Sequence, residues 1–156
     1  MALPSSGPLS FSAIDAALCS PTGQPYSLRA MSSAAGFSTP DSVSEFYGYS
    51  CPEASVDIIN TTTTASITNV TVNGVGITNI TFPINAGNSG SGTTNQLGTY
   101  TIVVSFSNGS GDSITVTDCT PTSTCINASG VSRTFTNQVV SSGCTISIDM
   151  ADGACV

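Results

Sequence analysis

The chain has 156 residues, and only 7% are charged: nine acidic side chains stand against Arg29 and Arg133, with no lysine, histidine or tryptophan. A net charge of −7 cannot neutralise a run of phosphates, which argues against nucleic-acid and acidic-membrane partners. Without histidine there is no Ser-His-Asp or Cys-His set and no His-ligated zinc, and without lysine no Schiff-base nucleophile or P-loop, so neither an enzyme nor a cofactor is expected.

Serine and threonine make up nearly a third of the chain, yet 39% of it is hydrophobic and mean hydropathy is +0.24, enough for a core. No apolar run reaches the roughly 18 residues that span a bilayer, and the first 17 residues lack the basic and apolar regions of a signal peptide. Composition changes near residue 50. Residues 1–50 hold five of the eight prolines and read as an N-terminal arm; residues 51–156, rich in Thr, Val, Ile, Asn and Gly, read as a β domain.

The arm carries two related pieces, each a polar turn followed by a short amphipathic segment. In the first, Ser10 or Ser12 is placed to cap a helix over residues 13–18. In the second, Ser42-x-x-Glu45 has the spacing of a capping box. So short and proline-rich a segment is expected to have no core of its own and to dock on its β domain or on a partner.

Strand signals follow. Residues 54–59 form one candidate. Residues 67–72 form the next, with a change of parity that suggests a bulge. Asn73-Gly74 is the favoured type I′ hairpin turn, and residues 75–82 return from it. Residues 85–98 read as a glycine-rich loop. Residues 100–106 put Tyr100, Ile102, Val104 and Phe106 on one face, and residues 114–117 are expected to pair back as a second hairpin. Residues 131–140 and 144–150 complete about seven strands. The expected fold is all-β, an antiparallel sandwich of immunoglobulin-like or jelly-roll-like type behind an arm with short helical turns. Its polar face is Thr, Ser and Asn rather than Lys and Glu, so its edges are expected to be covered by neighbouring copies or by the arm.

The opening Ala2-Leu3-Pro4-Ser5-Ser6-Gly7-Pro8-Leu9-Ser10-Phe11-Ser12-Ala13-Ile14 resembles the Leu-Pro-Ser-Ser-Gly-x-(Ile/Leu)-Ser-(Leu/Phe/Met) start of structural proteins of tailed-bacteriophage virions. Ser42-Val43-Ser44-Glu45-Phe46-Tyr47-Gly48 is similar to the segment that closes the same module, with Ser44 where an apolar residue is usual. The resemblance covers about the first 50 residues. It implies a virion component, tail- or fibre-associated or a capsid fibre or decoration protein, fixed by its arm and presenting a β domain. It implies that Leu3, Pro4, Leu9, Phe11, Ile14, Val43, Phe46 and Tyr47 carry the attachment. The implied partners are capsid, portal or tail proteins and further copies of the chain, with host-surface glycans a further candidate. The implied location is the virion, assembled in host cytoplasm and then extracellular. The alternative is a bacterial surface adhesin or carbohydrate-binding module, binding glycans through Asn and Thr.

Other residues allow two readings each. The six cysteines show no C-x-x-C spacing, so metal or redox chemistry is not expected. Either Cys119 pairs with Cys125, and Cys144 or Cys51 with Cys155, or all are buried thiols. Asp149-Met150-Ala151-Asp152-Gly153 loosely resembles a calcium loop without its further ligands. Asp112 and Asp118 flank one strand, a carboxylate pair by type but without tryptophan for a sugar platform. The Asn-x-Ser/Thr triplets at Asn60, Asn69, Asn79, Asn108 and Asn127 are expected by chance in such a composition. Phe46, Tyr47 and Tyr49 cluster at the end of the arm, either as an anchor for a partner or as packing against the β domain.

Overall fold

A computed structural model describes residues 2–19, 25–39, 41–108 and 111–156. The chain falls into two compact units, Met1–Pro52 and Glu53–Val156.

The N-terminal unit contains α1 (Phe11–Ala17), α2 (Leu28–Ala35) and a 3-10 turn (Val43–Phe46). The Ser10 hydroxyl accepts from the Ala13 N–H at 3.1 Å, so α1 begins two residues earlier than the expected span and ends before Leu18, which is extended. Ser27 caps α2, and Gly36 ends it in the left-handed region at φ 80°. The Ser42–Glu45 capping box is formed.

The expectation that this segment lacks a core is overturned. Leu3, Ile14, Ala17, Leu18, Met31 and Phe46 are buried together. Phe37, Phe46 and Tyr49 meet edge to face, with ring centroids 5.2–6.3 Å apart. The contributing positions are scattered from residue 3 to residue 49 with no local period, and for that reason the core escapes a periodicity search.

The second unit is almost wholly strand: β1 (Ala54–Asn60), β2 (Ile67–Val72), β3 (Val75–Gly76), β4 (Ser89–Thr94), β5 (Gly98–Phe106), β6 (Asp112–Thr117), β7 (Ser123–Asn127), β8 (Ser132–Val140) and β9 (Thr145–Asp152). One sheet has the order β4-β1-β9-β6-β7 and the other β3-β2-β5-β8. Alternate residues of both sheets enter one core, among them Val56 and Ile58 of β1, Val70 and Val72 of β2, Ile102 and Val104 of β5, and Ile146 and Ile148 of β9. This two-sheet arrangement is compatible with a β-sandwich.

Three expectations are corrected here. The strands are nine among the described residues, not about seven, because β4 arises in the segment read as a glycine-rich loop and β7 in one given no strand. The sheets are not purely antiparallel: β1 runs parallel to β9, with Ser55 opposite Thr145 and Asn60 opposite Met150. The first and last strands have no connecting turn to fix their direction. Finally, β5 and β6 do not pair. β5 lies between β2 and β8 in one sheet, and β6 between β7 and β9 in the other. The apolar faces of both strands enter the same core.

The β2–β3 hairpin forms at Asn73-Gly74, both residues having positive φ (53° and 77°) as a type I′ turn requires. β3 stops after two residues. Beyond it the chain crosses to the other sheet, where Thr78 exchanges backbone hydrogen bonds with Thr93 of β4 at 2.9 and 3.0 Å. It then returns to pair Ile84 with Ile67. The outer edge of β4 is thus bridged by the chain itself, where neighbouring copies or the arm had been expected. β4 reads Ser-Gly-Ser-Gly-Thr-Thr because this segment lies directly upon it. A Cβ on Gly92 would come within 2.5 Å of the Thr78 carbonyl oxygen and of Ile77 Cγ2, and one on Gly90 within 2.8 Å of Ile84 Cδ1.

Asn60 fixes the end of β1. It is fully buried; its amide donates to the carbonyls of Ala65 and Ile84, both at 2.9 Å, and its Oδ1 accepts from the Thr62 N–H and hydroxyl. Every donor and acceptor of the side chain is used, and three segments meet on it.

Candidate attachment site

The two motif pieces at the ends of the N-terminal unit close upon each other. The Leu3 N–H donates to the Tyr49 carbonyl at 2.8 Å, and the Gly48 N–H donates to the Pro4 carbonyl at 3.1 Å. The Tyr47 hydroxyl reaches across to the Gly7 carbonyl at 2.6 Å. Both glycines have positive φ, 100° at Gly7 and 73° at Gly48, which lets the chain turn on either side of this clasp. Glu45 completes it from below, accepting from the Ser42 N–H and from the Ser32 hydroxyl of α2. A disulfide between Cys19 and Cys51, with Cα atoms 5.1 Å apart, joins the end of α1 to the end of the unit. Tyr49 lies beside it, its hydroxyl 3.8 Å from Cys19 Sγ. Burial pushes the Tyr49 phenol upward, opposed by a hydrogen bond involving the Cys19 backbone.

The eight residues that the resemblance assigns to attachment separate into three groups. Leu3, Ile14 and Phe46 are buried in the unit's own core, so their side chains do not form its surface. Leu9 and Val43 are half-buried against that core. Pro4, Phe11 and Tyr47 are exposed, Phe11 at 40% and Tyr47 at 39%. Phe46 and Tyr49 pack with Phe37 inside their unit, which corrects the reading of Phe46 as an inserted anchor. Sequence reasoning missed Phe37 and the Cys19 bridge. The signals available were an aromatic just after the Gly36 helix stop and a lone arm cysteine with one partner near residue 50.

The disulfides of the β unit also differ from the expected pairs. Cys119 joins Cys144 and Cys125 joins Cys155, with Cα separations of 5.8 and 5.9 Å, and no cysteine is free. Register explains this. Thr117 lies opposite Ser123 and Thr115 opposite Cys125, so Cys119 is displaced from Cys125 by four residues, about 13 Å of strand. That exceeds the reach of a disulfide. Thr117 also lies opposite Ser147, which leads Cys119 toward Cys144.

Of the two carboxylates that flank β6, Asp118 serves the fold. Asp118 is buried, and burial alone would raise its pKa. Hydrogen bonds from the Val139 N–H, the Thr120 hydroxyl and the N–H groups of Thr120 and Thr122 outweigh that and hold it below the usual range. Because Val139 belongs to β8, this carboxylate links the two sheets. Asp112 is raised, first by burial and then by the charge of Asp152 and a hydrogen bond to it. The two sit at opposite ends of β6, roughly 20 Å apart along the strand, beyond the separation of a glycosidase pair. Asp149 to Asp152 are residues of β9 with Met150 buried between them, so the calcium-loop reading fails on backbone geometry.

Among the described residues there is no concave pocket, no group of three metal-ligating side chains, and no helix long and apolar enough to cross a membrane. No protein-family model matches the chain, and no curated protein matches it significantly.

Proposed function

We propose that the chain is a bacteriophage virion structural protein, tail- or fibre-associated or a capsid fibre or decoration protein. It works by binding: the N-terminal unit attaches it to the particle, and the β unit, of immunoglobulin-like or jelly-roll-like type, is presented or packed beside copies of itself. The observation that carries this reading is the clasp. The two segments that resemble the opening and closing of the phage module are far apart in sequence, yet they bond to each other through Leu3, Pro4, Gly7, Tyr47, Gly48 and Tyr49. Pro4, Phe11 and Tyr47 remain exposed on that unit and are the contacts we assign to the capsid, portal or tail partner. Low charge suits permanent subunit contacts, where few charges have to be desolvated.

Mass spectrometry of gradient-purified particles from cultures that encode the chain tests the proposal. The expected result is enrichment with the major capsid protein through the gradient. A copy number near that of the capsid protein would assign a decoration or tail-tube position, and a small one a fibre, vertex or tail-tip position. Absence from clean particles would reject the virion reading.

The three disulfides favour a second reading, a secreted adhesin or carbohydrate-binding module, because such bridges persist in oxidising surroundings. Recovery of the chain on the bacterial surface, with retention on a glycan array, would support it.

A further inference from the structure

We propose that the Cys19–Cys51 disulfide is a redox latch: oxidised, it holds the N-terminal clasp closed; reduced, it releases that unit while the β unit stays folded.

The argument begins from what stands behind each bridge. In the β unit nineteen buried apolar residues, drawn from two hydrogen-bonded sheets, surround a continuous core. One of its bridges joins the residues just after β6 and just before β9, and the other ties the C-terminal tail to β7, strands already held by their neighbours. In the N-terminal unit only six apolar residues are buried among those described. Its helices have seven and eight residues, too short to persist alone in water. A unit of this size normally needs a covalent staple.

The position of the bridge gives the latch its effect. Cys51 lies two residues after Tyr49, whose carbonyl receives the Leu3 N–H and whose ring packs on Phe37 and Phe46. Cys19 directly follows Leu18 of the same small core. The bridge therefore joins the two chain segments whose separation would undo both the aromatic cluster and the clasp. Both cysteines are only half-buried, within reach of a small dithiol.

The chemistry is thiol–disulfide exchange. A thiolate of a dithiol reductant attacks one sulfur of the bridge, forming a mixed disulfide and expelling the other cysteine as thiolate. The second thiol of the reductant then closes its own disulfide and releases the first cysteine. Two electrons and two protons pass to the Cys19–Cys51 pair, and the reductant leaves as a cyclic disulfide. The inference concerns the fold of this unit and holds whether the partner is a virion or a cell surface.

Hydrogen exchange with mass spectrometry on the full chain, with and without dithiothreitol, tests it, the thiol state being checked by alkylation mass. Reduction is expected to speed exchange in α1 and α2 by about 100-fold or more, leaving β1, β6 and β9 within about two-fold. A Cys19→Ser/Cys51→Ser chain should show the same loss without reductant, and Cys125→Ser/Cys155→Ser should not. Helices that stay protected after verified reduction would overturn the latch. So would simultaneous loss of protection in both units, or a Cys19–Cys51 bridge that dithiothreitol leaves intact in the folded chain.

Discussion

The two units of this chain reach a folded state by different routes. The β unit relies on repetition: alternating Val and Ile on successive strands supply a core in which no single side chain dominates. The N-terminal unit relies on a few unique contacts: one bridge, one aromatic cluster, one capping box and a clasp between its ends. The first design spreads burial over nineteen apolar side chains, the second over six among those described. The unit that bears the candidate attachment surface is thus also the one with the smaller core.

The most severe way to break this contrast is Phe46→Ala. It removes a fully buried ring that meets both Phe37 and Tyr49, at a cost of about 3–5 kcal/mol. The loss should fall on the N-terminal unit alone, seen as the disappearance of one thermal transition while that of the β unit stays in place. A shift of both transitions would mean that the units fold as one.

Asn60→Ala is the nearest equivalent in the β unit, because it leaves the buried Thr62 N–H without its acceptor and takes one of two donors from each of the Ala65 and Ile84 carbonyls. About 2–4 kcal/mol should be lost, read as a lower urea midpoint at unchanged slope. Gly92→Ala should cost about 1–3 kcal/mol, since the added methyl meets the Thr78 backbone. Gly76→Ala, which points into open space, should cost under about 1 kcal/mol. Equal losses at the two glycines would refute the close packing of residues 77–84 on β4.

The smallest effects are expected from pH, where two carboxylates act in opposite directions. Asp118 is held below its ordinary value of 3.8, so its contribution is complete above that value and fades as pH falls through the lowered one. Asp112 is raised above 3.8, so its contribution is complete below that value and is lost as pH rises through the raised one. Asp118→Asn should therefore lower stability near neutral pH and flatten the acid limb. Asp112→Asn should raise stability near neutral pH by removing a charge beside Asp152. Melting temperatures of the three chains across the acid range separate these outcomes.

What the sequence made legible was local. Alternation marked β1, β2, β5 and β9, Asn73-Gly74 marked the hairpin, and Ser42 with Glu45 marked the capping box. What it hid was set by distant neighbours. The Ser-Gly-Ser-Gly start of β4 has no apolar period, and its glycines make sense only beside Ile77, Thr78 and Ile84. The cysteine pairs follow from strand register, which depends on which sheet each strand joins. At the attachment site the motif residues were visible, but their division into buried Leu3, Ile14 and Phe46 and exposed Pro4, Phe11 and Tyr47 required the core they build together.

Attachment through the N-terminal unit is the central claim, and particle association of two chains tests it most directly. The full chain and a chain lacking residues 1–52 would be produced alongside the phage particles, purified on a gradient and quantified by mass spectrometry. The account predicts that the full chain travels with particles and that the shortened chain, still β-folded by circular dichroism, stays at the top. A shortened chain that travels with particles as well as the full one would contradict it.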